Sequence, residues 1–441
     1  MKINSTQLQL IENYLLKQNY ILAALPPREV KNYDFIYVIP CYNEPDLENL
    51  LQSLRAAHAP TLATALIFVI NDSEEDSPQV KQTNIETYEF LISEANNWTF
   101  PFTLIPLYFS NLPSPKAGVG LARKLGMDLA AQLFYRHGKP QGVIISLDAD
   151  CQVAENYFCE IESFFLRNST LVGTSLYFEH PIEKADPSIV EGIIQYELYM
   201  RYHLQALRWC RFPYSFHTVG SCMATRAYAY AAVGGMNTRK AGEDFYFLHK
   251  LIPYGNFAEI STTCVYPSAR VSTRTPFGTG KTLLDWQLGK LQYVAAAPLE
   301  SYQAMRDFFS LLPYYFFQDI QQSTQKTASL PFFMRSFLEQ VKWIKKLDEI
   351  KKQTKSLETF TKRFFQWWNA FWIIKYLHYA REVAFPDIPV SEAAITLLKK
   401  LNEQKGKSKE HSIESTGTFE LLKIYRNVEK NYPHAFSKNH K

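Results

Sequence analysis

The chain has 441 residues, 46% of them hydrophobic and 20% charged, the composition of an ordinary folded protein. At about 100–200 residues per domain, two domains, or one large domain with an appendage, are expected. A net charge of +4 is too small to argue for nucleic acid as a partner.

Cys41, Cys151, Cys159, Cys210, Cys222 and Cys264 form no CxxC pair and no Cys/His cluster, which argues against structural zinc and against a disulfide framework. The sequence Met1-Lys2-Ile3-Asn4-Ser5 lacks a basic-then-apolar leader. No apolar run approaches the ~20 residues of a membrane span. A reducing, cytoplasmic setting is therefore expected, with peripheral contact at the inner membrane face left open.

Residues 1–30 read as a helix, with apolar residues at helical spacing over Gln7–Leu16, followed by the Pro26-Pro27 break. A strand-and-helix alternation then begins. Phe35–Ile39 is a short apolar strand ending at Pro40. Asp46–Ala57 reads as a helix with Leu47, Leu50, Leu51 and Leu54 on one face. Leu66–Ile70 is a second strand, ending at Asn71-Asp72-Ser73. Asn84–Ala95 reads as a helix, Thr103–Tyr108 as a third strand, Gly120–Tyr135 as a helix, and Gly142–Leu147 as a fourth strand that ends at Asp148. This order predicts a parallel sheet with crossover helices, in which ligands bind at the carboxyl ends of the strands.

After Gly280 strands thin out, and helical patterns rich in Lys, Gln and aromatics take over. From about residue 321 basic residues exceed acidic ones by about ten. That excess suits either a solvated helical surface or an anionic surface such as phospholipid. Phe364, Trp368, Phe371, Trp372, Tyr376 and Tyr379 recur at helical steps, flanked by Lys362, Arg363, Lys375 and Arg381. They belong either to the core of a helical bundle or to a helix lying on a membrane. Residues 405–417, with Lys405, Lys407 and Lys409, read as a polar loop.

The chemistry-bearing residues sit at strand ends. Asp148-Ala149-Asp150 follows the fourth strand directly. Carboxylates at i and i+2 can surround one hard divalent cation, and Mg²⁺ typically combines one or two carboxylates with phosphate oxygens and water. A solvated turn is the alternative. Asp72, ending the second strand, can accept hydrogen bonds from a base or ribose. The first turn, Pro40-Cys41-Tyr42-Asn43-Glu44, contains no glycine, which speaks against a dinucleotide turn that meets pyrophosphate through backbone amides. Tyr42, Asn43 and Glu44 side chains would face a ligand instead. Glu243-Asp244 opens an apolar helix: the pair serves either as a cap favoured by the helix dipole or as a general base. Gly278-Thr279-Gly280-Lys281-Thr282 resembles a fragment of a phosphate loop, but Thr275 stands where the full pattern needs glycine. Arg274 and Lys281 remain candidates for a looser diphosphate contact. His180, His203, His217 and His249 show no metal spacing.

Taken in order, Pro40–Glu44, Asp72, Lys116-Ala117-Gly118 with Ala122-Arg123-Lys124-Leu125-Gly126, Asp148-Ala149-Asp150, Gly234-Gly235 and Glu243-Asp244 resemble the family 2 glycosyltransferases with a GT-A fold. The resemblance covers about residues 33–280. It implies an α/β, Rossmann-like, mostly parallel sheet flanked by helices, followed by a mainly helical C-terminal region. It also implies a hexosyltransferase-type activity on a nucleotide-sugar donor, with a glycan, lipid or small molecule as acceptor and Mn²⁺ or Mg²⁺ as cofactor. Pro40, Tyr42, Asn43, Glu44 and Asp72 would then hold the nucleotide, Lys116 and Arg123 would border the diphosphate, and Asp150 with Asp148 would bind metal. Asp244 would act as base in an inverting displacement, with Glu243 beside it.

The departures are specific. The family's arginine-asparagine pair reads Arg123-Lys124, Val265–Thr273 holds no histidine for the metal, and the Gln-x-x-Arg-Trp signature of processive synthases is missing, which favours single additions. The expected organisation is a helix over 1–30, a glycosyltransferase domain over 31–285 and a helical region over 286–441. A nucleotidyltransferase that forms sugar nucleotides is the rival enzyme, but its Gly-rich first turn is missing. A non-catalytic nucleotide- or carbohydrate-binding protein is the other rival, and it has no need of a base beside a metal.

Overall fold

The structure, a computed structural model, describes residues 2–18, 31–45, 47–272, 278–404 and 416–436. Arg274, the Pro26-Pro27 break and most of the 405–417 stretch lie outside the described residues. In chain order the elements of the first two thirds are α1 (Lys2–Leu15), β1 (Phe35–Cys41), α2 (Leu47–Ala56), β2 (Thr64–Ser73), α3 (Pro78–Asn97), β3 (Phe102–Leu112), α4 (Val119–Arg136), β4 (Val143–Ser146), β5 (Gln152–Val153), α5 (Tyr157–Arg167), β6 (Leu171–Phe178), α6 (Val190–Trp209), β7 (Met223–Arg226), α7 (Ala227–Ala232), α8 (Glu243–Leu251), β8 (Asn256–Tyr266) and α9 (Thr279–Gln287).

The chain forms two compact units: residues 1–186, 216–284 and 429–441 make the first, and residues 187–215 and 285–428 the second. The first unit is the α/β body. Its sheet runs Ala435–Phe436, β8, β6, β7, β4, β1, β2, β3, with β5 paired to β8. β1 through β4 are mutually parallel, as expected, while β7 runs antiparallel between β4 and β6. Strands buried on both faces read as continuous apolar runs, and all ten residues of β2 are buried. The registers Val38↔Ser146, Ser146↔Met223, Ser175↔Met223 and Phe178↔Val265 bring the ends of β1, β4, β6 and β8 and the start of β7 to one edge.

The helices cover that sheet for local reasons. α2 buries Leu47, Leu50, Leu51 and Leu54, one stripe of a 3.6-residue period. α3 starts six residues before the apolar pattern suggests, because Ser77 caps it, accepting from the Val80 amide, and Pro78 takes the first position. α4 is buried along most of its length. α1 is tied down by Tyr14, whose hydroxyl donates to the buried Asp128 at 2.6 Å; Lys124 donates to the same carboxylate at 2.9 Å.

The second unit is helical: α6, most of the helices from Leu299 to Asn431, and the short ribbon of Ala295–Ala296 with Ile388–Pro389. Phe308, Trp343, Phe364, Trp368 and Tyr376 are fully buried and pack ring against ring, Phe308 lying 5.1 Å from Trp368 in a tilted contact and 5.2 Å from Trp343 edge-on. For Phe364, Trp368 and Tyr376 the core reading of the aromatic pattern holds. The pattern is not one helix, however. Asn369 starts a new one (Ala370–Val383) by accepting from the Phe371 amide at 3.0 Å. A second buried feature is Glu197, which accepts from Arg201 at 2.9 Å and from Arg426 at 2.7 Å. Among the described residues no helix is long and apolar enough to cross a membrane.

Candidate functional site

The site lies at the shared strand edge of the first unit. β4 ends at Ser146, and the chain turns immediately through Asp148, whose carbonyl accepts from the Cys151 amide at 3.1 Å. The turn leaves Asp148 and Asp150 part-exposed. α4 carries Arg123 beneath them. Its buried guanidinium forms ion pairs with Asp148 and with Glu243, and its Nε donates to the Ser146 hydroxyl at 3.0 Å. One side chain therefore joins the Asp-x-Asp triplet to the acid pair that opens α8. Burial alone would lower the Arg123 pKa; the negative charges of Asp148, Glu243 and Asp244 outweigh it and fix the guanidinium in its charged form.

Gly220 makes room for this arrangement. A Cβ there would lie 2.6–2.7 Å from the Arg123 guanidinium. Sequence reading passes over Gly220 and Ser146, because neither belongs to a motif and both act only through Arg123.

Glu243 and Asp244 occupy the first turn of α8, after Gly242 in a left-handed conformation. Glu243 is buried, and burial raises its pKa against the opposing pull of Arg123. Asp244 is part-exposed, and its Oδ1 accepts from the Phe245 amide at 2.7 Å. Close packing pushes its pKa up, again with Arg123 pulling the other way. The two acids thus serve α8 as first-turn carboxylates and also face a buried cation.

Glu44 reaches the same edge from the end of β1 and is almost fully buried. Arg270, just beyond β8, holds it with both guanidinium arms; the Nη1–Oε1 bond is 2.8 Å. The second arm also lies 3.3 Å from Asp150 Oδ2. Cys41 registers the crowding: burial first, then the charges of Glu44, Asp148 and Asp150, hold its thiol far from ionisation. Arg270 is the main residue that sequence reading misses. It stands in the stretch searched for a histidine, and no arginine signature marks it.

The other candidates are placed differently. Tyr42 donates to Asp76 at 2.8 Å, and Asn43, at φ 46°, donates its amide to Asn84 at 2.8 Å. These bonds fix the turn after Pro40, which is half-buried at the end of β1. Asp72 is fully buried at a register shift between β2 and β3. Its oxygens already accept from the Tyr108 hydroxyl and from the Asn111 amide, the latter at 2.6 Å. Lys116 is exposed before α4. Lys281 is half-buried in the first turn of α9. Gly280 is required by packing: a Cβ there would lie 2.5 Å from the Ser272 side chain.

Among the described residues no group of three His, Cys, Asp or Glu side chains is arranged to hold a metal ion. The donor set of Asp148 and Asp150, two part-exposed carboxylates at one strand end, fits a hard cation that completes its shell with phosphate oxygens and water. It does not fit an ion caged by protein alone.

No protein-family model and no curated protein sequence matches the chain. Among solved structures it is similar to residues 1–349 of S. aureus TarS in complex with UDP-GlcNAc, at 13% identity over 90% of this chain and 91% of that one, with a TM-score of 0.35. It is also similar to a longer S. aureus TarS structure, at 13% identity over 79% of this chain and 55% of that one, TM-score 0.36. A third is the mannosyltransferase PcManGT from Pyrobaculum calidifontis in complex with GDP-Man and Mn²⁺, at 12% identity over 98% and 96% of the two chains, TM-score 0.30.

Proposed function

We propose that this chain is a glycosyltransferase, moving a sugar from a nucleotide-diphosphate donor to a hydroxyl of a glycan, lipid or small-molecule acceptor with inversion at the anomeric carbon. The observation that carries the reading is the buried Arg123 guanidinium held between Asp148 and Glu243. It fixes a metal-type Asp-x-Asp strand end and a pair of acids at a helix start as one unit, which neither a bare binding fold nor two independent caps requires.

Placement at the strand edge supports the following roles. The turn Pro40–Glu44 borders the base and ribose, and Asp72 supports it from inside the sheet by holding Tyr108 and Asn111. Asp150 and Asp148 would hold Mn²⁺ or Mg²⁺, and the bound ion would neutralise charge on the departing diphosphate. Asp244 takes the proton of the attacking hydroxyl as its oxygen bonds to the anomeric carbon and the bond to the diphosphate breaks. A carboxylate whose pKa is raised by burial is a stronger base near neutral pH than an exposed one. Glu243, locked onto Arg123, sets the direction in which α8 presents Asp244.

Asp244→Asn tests this assignment. Turnover of UDP- or GDP-sugars should fall ~10²–10⁴-fold, the usual contribution of a general base, while the dissociation constant of the nucleoside diphosphate stays unchanged. Wild-type turnover in this variant would remove Asp244 from the mechanism.

A further inference from the structure

We propose that Arg270 is the diphosphate-recognising cation of this site, held in the ligand-free state by Glu44 and Asp150. The inference rests on the glycosyltransferase reading and extends it to a residue that no motif marks.

Three observations support it. First, Arg270 grips Glu44 through both arms, and Glu44 is almost fully buried. A buried carboxylate without its cation is costly, so this grip is fixed and orients the guanidinium. Second, the contact with Asp150 is of another kind. It is longer, at 3.3 Å, and Asp150 is part-exposed. Both arms are thus anchored on Glu44, and one of them, Nη2, also faces a partner that solvent already reaches. Third, that partner is the acid assigned to the metal. Arginine presents its donors in a rigid fork matched to phosphate as well as to carboxylate. A diphosphate arriving at Asp150 meets a cation already aimed there. Arg123, by contrast, is buried and engaged on three sides by Asp148, Glu243 and the Ser146 hydroxyl.

The arrangement gives Arg270 opposite effects on two ligands. Toward a divalent cation alone it competes, because it neutralises the carboxylates that attract the ion. Toward a nucleoside diphosphate it cooperates, because it adds a second positive charge beside the phosphates. A merely structural arginine would not separate the two.

The test is direct binding to the full chain. Mn²⁺ alone is titrated and followed by electron paramagnetic resonance; UDP and GDP are titrated with saturating Mn²⁺ by calorimetry. In Arg270→Ala the affinity for Mn²⁺ alone should rise several-fold, and that of the nucleotide the wild type accepts should fall at least tenfold. Glu44→Gln/Arg270→Ala removes the buried charge together with its partner, so it keeps the fold if the single variant does not, and it should show the same tenfold nucleotide loss. Nucleotide affinity at the wild-type level in the double variant overturns the inference and leaves the glycosyltransferase reading standing. Failure of the wild type to bind either nucleotide overturns both.

Discussion

Arg123 concentrates the consequences at the scale of single residues. It is the buried counter-charge of Asp148 and Glu243, so removing it leaves a buried acid without a partner, which typically costs about 3–5 kcal/mol. Arg123→Ala should lose stability of that order in urea denaturation, together with activity. Gly220→Ala is the subtler probe. Its added methyl meets the guanidinium, so turnover should fall while most of the stability remains, a difference visible by measuring both on one preparation. Asp244 makes a pH prediction. Burial raises its pKa, and a base works only when deprotonated. Activity should therefore rise with pH along an acid limb centred above the ordinary aspartate value of about 3.9. A kcat/KM profile flat from pH 4 to pH 8 would contradict the assignment. Much of the site can be seen in the sequence, since Asp148, Asp150, Glu243 and Asp244 sit where a strand ends or a helix begins. Arg270 and Gly220 cannot, because their roles depend on contacts with residues far away in sequence.

The same division holds for the elements. β1 to β4, α2 and α4 announce themselves through unbroken apolar runs or a leucine stripe; the structure extends β1, β2, β3 and α4, trims β4 by one residue at each end and ends α2 one residue early. β6, β7 and β8 are harder. β7 has only four residues, one of them Arg226, and its place between β4 and β6 is set by long-range pairing that no local pattern encodes. The aromatic stretch after Phe364 shows the limit of periodicity: the three- and four-residue steps continue across Asn369, yet a cap bond ends one helix and begins another. Asn369→Ala should cost about 1 kcal/mol, the usual value of a lost N-cap, measured as a lower urea midpoint with turnover unchanged. A loss of turnover in a stable Asn369→Ala protein would mean that this helix start serves the reaction as well as the fold.

For the whole molecule, the α/β unit contains every acid and both arginines of the proposed chemistry, and the helical unit contributes its own aromatic core and the buried Glu197 network. The sequence marks the change in character after Gly280. It does not reveal that residues 187–215 belong with the later helices, because that grouping arises from packing. A nucleotide-diphosphate site that works with a divalent cation is read out by thermal unfolding of the full chain with UDP, GDP and their sugar conjugates, each with and without Mn²⁺. Binding at about 100-fold excess over the dissociation constant stabilises by about 2.7 kcal/mol. The unfolding midpoint should rise with the nucleotides of one base, dependent on Mn²⁺ and lost in Asp150→Ala. No rise with any of these nucleotides, or a rise indifferent to both the metal and Asp150, would contradict such a site.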